Sequence, residues 1–300
     1  MEKGIAVRVI LAGSSGLIGT ALAQCLRENG REVVRLVRRA PRAVDEVYWN
    51  AEMGELDRAE LGVVDAVVHL GGSNIAAGRW SEKTKEQLRS SRLLSTAFLV
   101  ETIEQMAHKP RVFVCASAVG IYGDRGDELL DEQSATGNGF LAELGVEWEA
   151  AAARASTRVV HPRFGVVLSR EGGALAKMLW PFKLGLGGRL GNGRQYMSWV
   201  GLKDAVAALM LAIDDERLCG ALNVVAPEPV PNAEFTRSLG LALGRPTLIP
   251  VPAFALRIAL GQMADEALLA SQRAIPEKLL DRGFSFADPH IGDALGRALS

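Results

Sequence analysis

An apolar run, Ala6 to Ala12, leads into Gly13-Ser14-Ser15-Gly16-Leu17-Ile18-Gly19, and an amphipathic stretch follows from Leu17 to Asn29. The order reads as a strand, a tight glycine turn and a helix. Glycines at G-x-x-G-x-x-G spacing let the backbone approach a pyrophosphate where a Cβ would clash. The turn also aims the unpaired N–H groups of the helix start at the phosphate charge. Few local patterns constrain a chain so strongly, because a strand feeding a helix through such a turn begins a parallel α/β sheet. The residues expected to meet a dinucleotide here are Gly13, Ser15, Gly16, Leu17, Ile18 and Gly19.

The next strand bears on which dinucleotide. Glu32 to Val37 follows a helix stop at Gly30, and about 20 residues past the glycines an acid would hold the ribose 2′-hydroxyl of NAD. Val37 stands there instead, and Arg38-Arg39 follow with planar guanidinium donors suited to a 2′-phosphate. This favours NADP(H), with Arg38 on the phosphate. The plainer reading is that Arg38, Arg39 and Arg42 solvate an exposed loop.

Short apolar strands alternate with helical stretches through the first half. The pattern predicts an α/β fold, a Rossmann-type doubly wound parallel sheet, with a smaller C-terminal substrate lobe. Further strands are expected at Glu46 to Trp49, Asp65 to Leu70, Arg111 to Ala116 and Thr157 to Pro162, with helices at Ser81 to Met106 and Phe140 to Ala153. Ligands of open α/β sheets lie at the carboxyl ends of strands, which adds Leu70, Gly71, Gly72, Ala116 and Phe164 to the cofactor candidates. His69, among apolar neighbours, reads as a packed strand residue. Past Arg163 the texture becomes rich in Gly and Pro, and Gly185 to Gly193 reads as turns or a mobile lid. The division expected is a nucleotide domain at 1–166, also receiving 196–226, with 167–195 and 227–300 as the substrate lobe.

Composition narrows the partners. A net charge of −1 with no block of like charges gives no support for nucleic acid or an anionic membrane, either of which leaves a basic stripe. Cys25, Cys115 and Cys219 lie far apart, without metal or disulfide spacing, and suggest a reducing compartment. No uninterrupted apolar run reaches the roughly 20 residues that span a bilayer, and the apolar start lacks a signal-type cleavage site. A cytoplasmic protein acting on a small molecule is expected.

The motifs together resemble the extended short-chain dehydrogenase/reductases, and within them the atypical YfcH-like, epimerase-like branch. The resemblance spans essentially the whole chain. It is carried by the glycine motif, Arg79-Trp80, Ser91-Arg92, Ser117 to Gly123, Trp148-Glu149, Arg163 to Leu168, Ser198-Trp199-Val200, Asn223 to Pro227, Pro276 to Leu279 and Gly283 to Phe286. It implies NADP(H) on the large lobe, and a homodimer is an expectation taken from extended members that pair through helices of the sheet.

Typical members use a Ser or Thr after the fifth strand and a Tyr-x-x-x-Lys on the next helix, the lysine lowering the tyrosine pKa for proton transfer. Ser117 matches the first element. Phe140 and Leu144 stand where Tyr and Lys would, and neither titrates. Ser117 and Tyr122 are therefore the catalytic candidates, while Glu147 shares a helical face with Phe140 and Leu144 and reads as a cleft group or a solvated carboxylate. The branch also usually shows a His where Gly201 stands here. Trp148 and Trp199 read as packing residues and Asp204 as a first-turn carboxylate favoured by the helix dipole.

Two functions follow from these readings. One is an NADP(H)-dependent oxidoreductase or epimerase acting on a small hydroxyl or carbonyl compound, for which a nucleotide sugar is the analogy. The other is an NADP(H)-binding sensor or regulatory protein without turnover, motivated by the missing tyrosine and lysine.

Overall fold

The computed structural model describes residues 7–300; Ala6, at the start of the expected first strand, lies outside them. Seven parallel strands form the central sheet: β1 (Arg8–Ala12), β2 (Glu32–Val37), β3 (Glu46–Asn50), β4 (Ala66–His69), β5 (Val112–Cys115), β6 (Arg158–Phe164) and β7 (Gly220–Val224). Their order is β7-β6-β5-β4-β1-β2-β3, and every neighbouring pair is parallel. Glu55–Leu56 adds an antiparallel edge beyond β3, and Ser117–Ala118 continues beside the end of β6. The order reverses between β1 and its neighbours β2 and β4, so a crevice forms outside the carboxyl ends of these strands. A parallel sheet buries both faces. Val9, Ile10, Leu11 and Ala12 are accordingly no more than 1% exposed.

Helices α1 (Leu17–Glu28), α2 (Glu82–Gln105), α3 (Phe140–Ala152) and α5 (Leu202–Asp214) cover the sheet, α1 packing on α5 and α2 on α3. The expected elements fall within a few residues of these bounds; the sixth strand runs on past Pro162 to Phe164. Ser81 caps α2 by accepting from the Thr84 N–H at 3.1 Å, the satisfied helix start its position invites.

A second apolar cluster gathers Leu175, Leu179 and Phe182 of α4 (Gly173–Lys183), Phe235 and Leu239 of α6 (Asn232–Leu243), and Ile291 and Leu295 of the last helix. Trp199 belongs to it, fully buried, its Nε1 donating to Glu228 O at 3.0 Å. The Gly-rich segment is docked rather than free at its centre, since a Cβ on Gly188 would lie 1.7 Å from Ile249 O. Asp204 stands in the first turn of α5, as expected, and has a further role there. It is 2% exposed and accepts the N–H groups of Ala287 and Asp288 at 2.8 and 3.1 Å, tying the C-terminal segment to α5. Among the described residues no helix is long and apolar enough to cross a membrane.

Candidate functional site

A cleft of about 490 Å³ lies over the carboxyl ends of β1, β2 and β4. Gly13 shapes its floor. At φ +85° it adopts a conformation that L side chains rarely take, and a Cβ there would stand 2.7 Å from both Gly71 N and Leu70 C. The turns after β1 and β4 therefore touch through backbone alone. Gly19 solves a different problem: its Cβ would lie 2.2 Å from Gly13 O, so only glycine lets α1 pack onto its own turn. Gly16 precedes α1 with no side-chain cap, leaving the first-turn N–H groups for an anion. These features fit a dinucleotide diphosphate, because side chains would fill the cradle and a capping residue would compete for the donors.

Gly13, Ser15, Gly16, Arg38, Leu70, Gly71 and Gly72 all line this cleft. Leu17 and Ile18 open α1 beside it, and Gly19 packs beneath. Ala116 and Phe164, 8% and 9% exposed, sit at the ends of β5 and β6 as part of the core.

At the β2 end the arginines divide. Arg39 donates from both terminal nitrogens to Glu46, at 2.8 and 2.7 Å, and Arg35 does the same to Asp45 through Nε and Nη2. The Arg39 hydrogen bond, with the Arg42 N–H, holds the Glu46 carboxyl at about 2. Arg38 lines the cleft with no carboxylate partner among the described residues. Glu46 is the acid of this region, and it arrives from β3, ten or so residues after the position where sequence reasoning looks for one.

The β4 end is built around His69, which is fully buried between the edges of Trp49 and Trp148 at 6.3 Å each. Gly71 N–H donates to its Nδ1 at 3.3 Å, so Nε2 carries the proton and faces Ser95 Oγ at 2.9 Å; Ser95 in turn donates to Ser91 O at 2.7 Å. Burial, with the Arg92 charge nearby, pushes this imidazole down to about 3. It is a neutral strut under the Gly71-Gly72 loop, as its apolar sequence neighbours suggest. From α2, Ser91 Oγ accepts Ser73 N–H at 3.1 Å, and Ser91, Leu94 and Ser95 form a wall of the cleft. Sequence analysis missed this wall; the signal was the pair of serines at i, i+4 in an otherwise apolar helix face.

The two catalytic candidates, Ser117 and Tyr122, sit in a buried polar network. Ser117 is 3% exposed and its hydroxyl donates to Glu149 Oε1 at 2.7 Å. Side chains alternate along extended backbone, and it is Ala118, not Ser117, that is exposed. Tyr122 is fully buried, its hydroxyl hydrogen-bonded to Asp131 O and Asn223 Oδ1 at 2.8 Å each, and accepting from Arg163 Nη1 at 2.9 Å. Burial pushes its phenol up, the opposite of what proton transfer at neutral pH requires. Arg163 also forks onto Glu149 at 2.8 Å through Nε and Nη2. Ser117, Glu149, Arg163, Tyr122 and Asn223 are thus one buried polar chain that joins α3 to β6 and β7. The spacing of these motifs along the sequence does not reveal this, because the partners come from four separate segments.

Phe140 and Leu144 lie in an apolar cluster with Trp80, Leu88 and Met263, and Phe140 meets Trp80 edge-on at 5.3 Å. Glu147 pairs with Arg89 of α2 at 2.7 Å and stays at the helix surface.

A nucleotide-binding Rossmann architecture is thereby defined, and comparison with known proteins refines it. A sequence family described as the NAD dependent epimerase/dehydratase family matches residues 9–224, and a domain of unknown function, DUF1731, matches residues 251–298. An epimerase family protein of Mycobacterium leprae is 48% identical over 293 residues, covering 97% of this chain and 95% of that protein. The human epimerase family protein SDR39U1 is 38% identical over 294 residues, covering 96% and 98%. The crystal structure of human SDR39U1 (isoform 2) with NADPH superposes with a TM-score of 0.91 at 36% identity, over 98% of this chain and all of that one. A nucleoside-diphosphate sugar epimerase from Corynebacterium glutamicum superposes with a TM-score of 0.81 at 35% identity, over 99% of this chain and 59% of that one. The chain belongs to the NAD-dependent epimerase/dehydratase family.

Proposed function

We propose that this protein binds NADP(H) in the cleft and acts as an oxidoreductase or epimerase on a small hydroxyl- or carbonyl-bearing substrate. The observation that carries the reading is the joint geometry of one cleft. Gly13 and the uncapped start of α1 suit a diphosphate, and Arg38 at the end of β2 suits a 2′-phosphate. NADPH bound to human SDR39U1 supports the same choice. When bound, the nicotinamide supplies or accepts a hydride. Residues 1–166 with 196–226 hold the cofactor in this reading, and 167–195 with 227–300 meet the substrate.

The chain's own contribution is binding and orientation. Phe140 and Leu144 offer no proton donor at the places where the wider superfamily carries Tyr and Lys, and the Ser117 hydroxyl is engaged by Glu149, so in this reading proton exchange falls to water or to the substrate itself. The missing tyrosine and lysine favour the second reading, a protein that senses NADP(H) without turnover. Titration with NADPH and NADH tests the cofactor, and failure to prefer NADPH ends that part of the proposal. Incubation of 4-deuterated NADPH with a metabolite extract, read by mass spectrometry, then decides between the two. Deuterium in one metabolite establishes hydride transfer and names the substrate; tight binding with no label, and no exchange in a solvent control for an internally returned hydride, establishes the sensor.

A further inference from the structure

Outward from the second apolar cluster, α4 and the stretch that runs into α7 (Ala253–Leu260) carry an apolar surface that nothing covers among the described residues. Trp180, Leu184, Leu186, Leu248, Phe254 and Ile258 are each at least 54% exposed, and α7 has no buried residue at all. They come from neighbouring segments. A Cβ on Gly185 would lie 3.9 Å from Pro246, Gly188 abuts the Ile249 carbonyl, and Val251 N–H donates to Arg189 O at 2.9 Å. Residues 185–189 and 246–251 therefore run side by side, with the end of α4 and the start of α7 beside them. Monomeric proteins seldom expose large apolar side chains in such a group without a use for them.

The charges of these segments have one sign. No acid stands between Glu171 and Asp204 or between Glu234 and Asp265, whereas the first stretch holds five Lys and Arg residues and the second three. They are spread too thinly along the chain to read as a block, and the net charge of −1 averages them away. Lys183, Arg189 and Arg245 are exposed and form no ion pair among the described residues, while Arg257 is held by Asp265 at 2.8 Å. A second copy docked on this face would set like charges against like in an isologous contact. A bilayer containing anionic lipid answers both features, because its headgroups attract the cations and its boundary takes up Trp, Phe and aliphatic side chains without a complementary shape. We propose that this face docks on a membrane surface rich in anionic phospholipid, lying on it without spanning it. The docking has a direction. Lys177 shares a helical face with Trp180 and Leu184 and donates to Ala76 O at 2.5 Å, and Arg79 donates to Ile258 O at 3.3 Å. Both helices thus hold the loop that continues past Ser73, so the bilayer meets the protein beside the cleft. The inference goes beyond the proposed function and does not rest on it.

Trp180 is a built-in reporter, because Trp49, Trp80, Trp148 and Trp199 are all buried. The full chain is mixed with sedimentable vesicles of phosphatidylcholine alone, or of phosphatidylcholine with phosphatidylglycerol. Binding to the mixed vesicles only is expected, weakening as salt is added, with tryptophan emission quenched by lipid brominated on its acyl chains. Trp180→Ser with Phe254→Ser should lower binding at least about tenfold. Lys183→Gln with Arg245→Gln should lower it about fivefold per charge removed. All four positions are exposed, so circular dichroism of both variants should match that of the unaltered chain. Trp180→Phe should keep the binding and lose the quenching. No binding to the mixed vesicles, equal binding to both kinds, binding without quenching, or binding that either pair of substitutions leaves unchanged overturns the proposal. So does a chain that sediments as a dimer and becomes a monomer with Trp180→Ser and Phe254→Ser, since the face then belongs to a second copy.

Discussion

The hydroxyl of Ser117 donates to Glu149 Oε1 at 2.7 Å, and the same carboxylate oxygen accepts from Arg163 Nε at 2.8 Å. A serine at the end of a sheet strand thereby becomes the third member of a buried ion-pair network, and it is not among the residues that line the cleft.

Removing that hydroxyl is a small stability change. Glu149 keeps both bonds to Arg163, so Ser117→Ala is expected to cost about 1 kcal/mol in urea unfolding and to leave NADPH affinity unaltered. A variant of native stability that has lost binding or turnover would contradict this placement and return Ser117 to the site.

Breaking the pair itself is a larger change. Glu149→Leu leaves Arg163 buried without its partner, and about 3–5 kcal/mol should be lost. Both side chains are at most 14% exposed, so screening by water gives little relief. Glu149→Leu combined with Arg163→Leu should regain a substantial part, which a double-mutant cycle in denaturant would measure as coupling. Additive losses would mean that the pair contributes nothing as a unit.

The glycine turn makes a paired prediction. Gly30 has φ +71° with open space around it, so Gly30→Ala should cost about 1–2 kcal/mol from the left-handed backbone alone and spare nucleotide binding. Gly19→Ala drives a methyl into Gly13 O and must displace the turn. It is expected to abolish NADPH binding measured by nucleotide fluorescence, even where circular dichroism shows a folded chain. Equal effects of the two substitutions would argue that the turn is not the binding cradle.

His69 sets a pH dependence of stability. Its pKa falls from the ordinary 6.5 to about 3 in the fold, so between those values the unfolded chain holds a proton that the native one does not. The contribution is therefore complete above pH 6.5 and is lost as pH falls towards 3, at up to about 1.4 kcal/mol per pH unit. His69→Gln, which retains a donor towards Ser95 but does not titrate, should flatten that slope. A slope identical to that of the unaltered protein would place the acid sensitivity elsewhere.

Arg38 and Arg39 should separate cleanly despite being adjacent. Arg38→Ala is expected to weaken NADPH about tenfold or more while leaving NADH as it was, because Arg38 lines the cleft without a carboxylate partner among the described residues. Arg39→Ala removes the forked partner of the buried Glu46, which keeps Arg35 at 3.1 Å and the Arg42 N–H, and should lower Tm modestly with little change in the NADPH-to-NADH ratio. The reverse pattern, selectivity following Arg39, would refute the assignment.

How much of this was legible beforehand follows the range of the interactions involved. Strands β1 to β6, the helices between them and the glycine turn are written in short windows of chain, because hydrophobic periodicity and a missing Cβ act over a few residues. The sequence alone therefore determined a parallel α/β sheet, the place of its cleft at Gly13 and Gly71, the absence of Tyr and Lys at 140 and 144, and the arginine at 38. The direction of a side chain was another matter. Ser117 turned inward and Ala118 outward, Tyr122 was enclosed, Arg39 was drawn to Glu46, and Arg92 came to rest against Gly72 and Trp148. Each depends on partners 7 to 101 residues away along the chain. Only the packed structure decides which polar groups find one another in low dielectric and which remain free for a ligand.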